Sequence, residues 1–346
     1  DCLAAYSAVN QGHCHPRLLK VFKRQAGKVT LTSRAFRNDQ LPGFYKTITE
    51  MTGYTRALPM NSGAEAVETA IKAARKWGYK VKGIKKNKAE IIVCGDNFHG
   101  RTTTIVGFST DDQYKDGFGP FTPGFKVIPY GDDKALAAAI TGNTVAFLVE
   151  PIQGESGIVV PEAGFLQKAR QICTDNNVLL ICDEIQSGLG RTGKMFAFEW
   201  EDIRPDGVIV GKALSGGFYP VSAFLSNEEV MGVFNPGDHG STFGGNPLGM
   251  AVAREAMKVL MDEKLVQQSA KLGPWFMEKL GEIESKSIET VRGKGLWVGL
   301  VLNTKARPYC EALMAEGVLC KETHENVIRF APPLVIKKKE LNLALR

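Results

Sequence analysis

Residues 178–184, Val-Leu-Leu-Ile-Cys-Asp-Glu, and residues 207–212, Gly-Val-Ile-Val-Gly-Lys, are short apolar runs, each ending in a charged side chain. Neither run alternates polar with apolar residues, so each reads as a strand covered on both faces, as in a parallel sheet. Working outward, similar runs occur at Glu90–Cys94, Phe125–Pro129, Val145–Val149 and Val221–Leu225. Helical spacing separates them at Ala64–Tyr79, Phe165–Asn176 and Pro247–Glu263. Strands alternating with helices predict an α/β fold, a large unit built on a mostly parallel mixed sheet. Beyond residue 262 the texture changes to a charged helix (Leu265–Ile283), a strand (Gly295–Leu302), a helix near Pro308–Glu316 and a last strand (Val327–Phe330). These predict a smaller α+β unit. The expected division is 1–41 as an N-terminal segment, 42–262 as the large unit and 263–346 as the small one.

Composition narrows the class. The 346 residues carry 43 Lys and Arg against 37 Asp and Glu, a net charge of +6 with only one compact basic cluster, Lys80–Lys88. Charge spread in this way argues against a nucleic-acid footprint, which concentrates on one face. No run approaches the ~20 apolar residues of a membrane helix. The seven cysteines form no Cys-x-x-Cys pair and fall largely in apolar runs, which predicts reduced, buried thiols. A soluble cytoplasmic protein is the default expectation. The chain opens abruptly at Asp1 and stops in the helix-like run Lys337–Arg346, so both ends read as truncated.

The positions of polar residues carry the chemistry. Asp183 closes one buried strand, at the end of the sheet where open α/β proteins bind ligands, although a helix-capping Asp is an equal reading. Lys212 closes the next and precedes Ala213-Leu214-Ser215-Gly216-Gly217. A partly desolvated ammonium has a lowered pKa, and small neighbours let a ring approach, which suits a lysine that bonds covalently to a carbonyl. Asn61-Ser62-Gly63-Ala64-Glu65 stands before a long helix. It reads both as a Ser N-cap and as a phosphate cradle of free backbone N–H groups. Gly188-Leu189-Gly190-Arg191-Thr192-Gly193 fits the dinucleotide pattern, but residues 194–200 do not read as the helix that pattern requires. An NAD-dependent oxidoreductase is therefore the rival outside this chemistry, with a silent binding protein on the same fold behind it. His13 and His15 are too isolated for a metal site, and no metal is expected.

Taken in order, Asn61–Glu65, Asn97–Arg101, Glu150–Glu155, Asp183–Gln186, Gly211–Gly217 and His239–Pro247 resemble the class III aminotransferases, over nearly the whole chain. Tyr6–His13, Tyr219–Ala223 and Ile328–Pro333 are similar to the branch of that class that acts on ornithine. The resemblance implies a fold-type I architecture, pyridoxal 5'-phosphate on Lys212, and a homodimer with shared active sites. It implies that Asp183 pairs with the cofactor's ring nitrogen, Phe98 stacks on the ring and Gln186 lies near the phenolic oxygen. Gly63 and Ala64 would hold the phosphate, and Ser241 with Thr242 would reach the neighbouring subunit's phosphate. Glu155 and Arg329 match a switchable carboxylate site; Tyr6 and Arg101 match positions that receive the amino-acid end of the donor. L-ornithine and 2-oxoglutarate are the implied substrates, with N-acetylornithine or another ω-amino acid as the alternative donor.

Overall fold

The computed structural model describes residues 1–346. One sheet contains β1 (Arg56–Met60), β2 (Glu90–Cys94), β3 (Phe125–Ile128), β4 (Thr144–Val149), β5 (Leu179–Asp183), β6 (Gly207–Val210) and β7 (Ser222–Ser226). Their order is β1-β7-β6-β5-β4-β2-β3. Pairings from β6 through β3 are parallel, and only β7 runs against its neighbours. Every residue of β4, β5, β6 and β7 is buried, which explains their unbroken apolar sequences.

The two faces are covered by different helices. Ala66, Val67, Ala70, Ile71 and Trp77 of the Gly63–Lys80 helix pack with Ile91, Val93, Leu148 and Phe224. On the other face, Phe44, Phe165, Met250 and Met257 join Ile92, Phe147, Leu180 and Val208. The expected strands and helices are present, with ends moved by one or two residues. β1 has no apolar run to announce it. It carries Pro59 and lies at the sheet edge, paired on one side only with β7, the kind of position where proline is tolerated in a sheet.

A second, antiparallel sheet contains β8 (Ile288–Lys294), β9 (Trp297–Leu302), β10 (Lys321–Thr323) and β11 (Val327–Phe330), in the order β10-β11-β9-β8. The Leu265–Gly281 helix packs on it, and Phe276 meets Phe330 edge-on at 5.6 Å. Residues near the N-terminus join this sheet's surroundings to the larger one. Ala331 donates to the Cys2 carbonyl, Leu334 to the Asn10 carbonyl, and the Asn10 amide to Leu189.

The glycine motif is resolved by its packing. Residues 188–193 form turns, and the element after them is a short 3-10 helix, Ala197–Glu201, with no α-helix N-terminus for a pyrophosphate. A Cβ on Gly193, at φ +88°, would lie 2.8 Å from the Cα of Ala270. The glycine lets the loop lie against the Leu265–Gly281 helix. Arg191 within it is fully buried and donates to the carbonyls of Leu296 and Pro332 and to the Asn10 side chain. This loop joins segments distant in sequence, and the dinucleotide reading is overturned. His13 and His15 turn to separate acids, Asp1 and Glu263. No helix is long and apolar enough to cross a membrane.

Candidate active site

The carboxyl ends of β5 and β6 open onto a cavity of about 170 Å³ whose walls include Gly63, Ala64, Phe98, Asp183, Gln186 and Lys212. Six of the expected site residues thus meet in one place. Asp183 is the last residue of β5. Lys212 follows β6 through Gly211 and takes a left-handed φ of +42°. Burial lowers its pKa from 10.5 to about 8, opposed by the charges of Asp183 and Glu155 and assisted by that of Arg329.

Asp183 is 5% exposed and fully engaged. Its Oδ2 lies 2.7 Å from His99 Nδ1, and its Oδ1 accepts from the Ile185 N–H at 3.0 Å. Burial works to lower the His99 pKa, but the hydrogen bond and charge of Asp183, with Glu150 behind, leave it raised. His99 Nε2 is buried without a protein partner. The motif 97–101 was legible in the sequence, yet the role of His99 within it was not, because its partner lies 84 residues away.

The Gly63–Lys80 helix starts at the cavity wall. Ser62 Oγ accepts from the Glu65 N–H at 3.3 Å, and the Glu65 carboxylate accepts from the Ser62 N–H at 2.7 Å, a complete capping box. The first-turn N–H groups of Gly63 and Ala64 have no intrahelical acceptor, and both residues line the cavity. Gly100, at φ +133°, approaches so closely that a Cβ there would lie 2.9 Å from the Ala64 Cβ. Ser241 Oγ accepts from Asn61 Nδ2 at 2.8 Å. Thr242, in contrast, is exposed and lines a separate cavity with Arg34 and Tyr45.

Above this floor lies a wider cavity of about 530 Å³, lined by Tyr6, Phe98, Tyr114, Glu155, Thr323 and Arg329. Arg329, on β11, is 1% exposed; its Nη1 donates to Glu155 Oε1 at 3.0 Å and its Nη2 to Gln186 Oε1. Gln186 Nε2 donates to the same Glu155 oxygen at 2.9 Å. Burial would raise the Glu155 carboxyl, but the Arg329 charge and these hydrogen bonds outweigh it and leave its pKa lowered. The Tyr6 ring covers the guanidinium at 5.4 Å and Trp297 at 5.6 Å. Arg101 stands further out, over the Tyr114 ring at 4.1 Å and the Phe98 ring at 5.6 Å.

Two buried carboxyls complete the surroundings. Glu150 lines the inner cavity and accepts from the Phe98 N–H at 3.1 Å; burial and the nearby Asp183 raise it to about 8, against the charge of His99. Glu184 accepts from Ser187 Oγ at 2.6 Å and from the Phe198 N–H at 3.0 Å, and burial lifts it to about 7.

The profile of the class III aminotransferases matches residues 1–346, the whole chain. The chain belongs to the class III aminotransferases. It is 61% identical over 345 residues to a protein named ornithine aminotransferase from Brevibacillus brevis, covering 100% of this chain and 86% of that one. The ornithine aminotransferase structure from Toxoplasma gondii superposes with a TM-score of 0.98 at 46% identity, covering 100% of this chain and 84% of that one. An acetylornithine aminotransferase structure from Elizabethkingia anophelis gives 0.91 at 53% identity, with 100% and 87% covered. The fold is the fold-type I architecture of these pyridoxal-phosphate transaminases, and pyridoxal 5'-phosphate is the cofactor of the class.

The residues present fit that cofactor. A cavity with an amine of lowered pKa, a carboxylate fixed opposite by an imidazole, an aromatic wall and a helix N-terminus with free N–H groups matches its aldehyde, ring nitrogen, ring face and phosphate.

Proposed function

We propose that this chain transfers the δ-amino group of L-ornithine to 2-oxoglutarate, giving glutamate-5-semialdehyde and glutamate. The observation that carries this reading is the buried Arg329 held by Glu155 and Gln186 at the edge of the Lys212 cavity. Such a guanidinium is a carboxylate fork with a removable mask. With Glu155 in place, the inner site is neutralised and suits an uncharged chain ending in an amine. With Glu155 displaced, Arg329 receives the second carboxylate of 2-oxoglutarate. One cavity then serves two substrates of different charge.

Bound on Lys212, pyridoxal phosphate supplies a carbonyl carbon that takes and returns the amino group, and a ring that draws electrons from the substrate carbon. Once the donor's amino group has taken its place on the cofactor, the freed Lys212 Nζ would move the proton at that carbon, as base and then acid, for which a pKa near 8 is suited. Asp183, oriented by His99, holds a proton at the ring nitrogen. Phe98 covers one ring face, and Gln186 has a second N–H beyond the one given to Glu155 for the phenolic oxygen. Gly63 and Ala64 hold the phosphate. Arg101 and Tyr6 receive the α-carboxylate end of ornithine at the rim.

The reading includes a homodimer in which Ser241 and the exposed Thr242 reach the partner's phosphate. It includes a division at residues 41/42 and 262/263, and a cytoplasmic enzyme of arginine and proline metabolism. A second donor, N-acetylornithine, is favoured by the 53% identity to the Elizabethkingia anophelis protein. The deciding experiment is a coupled assay of the cofactor-loaded protein with 2-oxoglutarate, trapping the cyclised semialdehyde with o-aminobenzaldehyde while N-acetylornithine and γ-aminobutyrate run in parallel. Turnover of ornithine well above the other two is expected; preference for N-acetylornithine would replace the substrate and leave the chemistry standing.

A further inference from the structure

The guanidinium of Arg101 is placed unusually for an exposed arginine. No carboxylate of this chain pairs with it, and its contacts are two aromatic faces, Tyr114 at 4.1 Å and Phe98 at 5.6 Å. The rings themselves meet edge-on, with centroids 6.0 Å apart. Phe98 belongs to the inner cavity wall, whereas Tyr114 comes from elsewhere in the chain. It ends a one-turn 3-10 helix, Asp112–Tyr114, whose start is capped by Asp111 accepting from the Gln113 N–H at 2.9 Å. Tyr114 lines the outer cavity beside Glu155 and Arg329.

A ring face holds a guanidinium in place without using its N–H donors, which a carboxylate partner would occupy. An arginine stacked in this way keeps its donor edge available and loses much of its rotamer freedom before a ligand arrives. We propose that Tyr114 is a specificity-determining positioning residue: its ring is the shelf that holds Arg101 ready for the carboxylate at the far end of the amino donor. The inference rests on the role given above to Arg101 and names the residue that makes that role possible. The hydroxyl is not part of the shelf, so the ring alone performs the task.

The test is a double-mutant cycle on the cofactor-loaded enzyme, reading KM and kcat separately for L-ornithine. Tyr114→Leu should raise KM by roughly 3- to 30-fold, the range of one cation–π contact, with much less change in kcat. Tyr114→Phe, which keeps the ring, should restore KM. In an Arg101→Ala background, Tyr114→Leu should add little, because the group it positions is gone. An unchanged KM in Tyr114→Leu, or effects of the two substitutions that simply multiply, would overturn the proposal. If the wild type prefers another carboxylate-bearing donor, the ornithine reading falls, and the same cycle on that donor still decides the shelf.

Discussion

The floor and the rim of the cleft are built on different principles. At the floor, Asp183 and Lys212 stand at the ends of fully buried strands, and Asp183 has each carboxylate oxygen occupied, one by the buried His99 ring and one by the Ile185 N–H. At the rim, Arg329 comes from the small antiparallel sheet, Glu155 from the connection after β4, Tyr6 from near the N-terminus and Arg101 from the loop after β2. Floor groups have one arrangement available. Rim groups are joined by an ion pair and ring faces, which can separate when a ligand offers equal partners. The chemistry needs a fixed acid–base frame, whereas two substrates of different charge need an exchangeable one, and the chain divides these tasks between strand ends of one sheet and side chains gathered from the second sheet and from connecting loops.

That division orders the expected effects of substitution. The largest belongs to Lys212→Ala, which should lower transamination by at least about 10⁴-fold and abolish borohydride fixation of the cofactor to the chain. A variant retaining a tenth of the wild-type rate would break the floor's assignment. Next, Asp183→Asn should lower kcat by roughly 10²- to 10³-fold with little change in the KM for ornithine, as expected for a fixed charge acting on the transition state. An effect confined to KM would move Asp183 to the rim class. Glu155→Gln should unmask Arg329, lowering the KM for 2-oxoglutarate and reducing the preference for ornithine over glutamate as donor by roughly 10-fold. An unchanged preference would mean that the pair is not a switch.

The smallest effect concerns stability. Glu150 stays protonated in the folded protein up to about pH 8, whereas its unfolded carboxyl ionises near 4.5. Between these values the unfolded state has lost a proton that the folded state keeps, so this group's contribution to stability falls as pH rises. Glu150→Gln removes the group, so melting temperature in the variant minus that of the wild type should grow between about pH 5 and pH 9, by a few °C. A difference independent of pH would show that Glu150 is ionised in the folded state.

Legibility in the sequence followed the same line. Strands β2 and β6 and the runs around β4, β5 and β7 could be read because covered faces demand unbroken apolar stretches. β1 could not, since Pro59 marks an edge; nor could β8, which is partly exposed along its length, or β10, with three residues. Asp183, Lys212, Gly63 and Ala64 were legible as strand-end or helix-start positions, where local rules hold. The Glu155–Arg329 pair spans 174 residues and entered only through family resemblance. His99 and Tyr114 escaped because each acts through a neighbour that only the folded chain supplies. The glycine motif at residues 188–193 matched a dinucleotide pattern locally, but residues 194–200 already argued against it, and the short 3-10 helix at Ala197–Glu201 agrees.

The buried guanidinium of Arg191 also constrains how the molecule is made. Its acceptors come from Asn10, Leu296 and Pro332, so this loop depends on segments more than a hundred residues away on either side. All seven strands of the larger sheet lie within residues 56–226, yet this cation draws on the carbonyls of residues 296 and 332. Leaving such a charge desolvated and unsatisfied is costly, and Arg329 joins the cleft from the same late segment. A shortened chain that keeps all seven strands of the larger sheet but lacks residues 296–332 is therefore expected to leave this cation without two of its three acceptors.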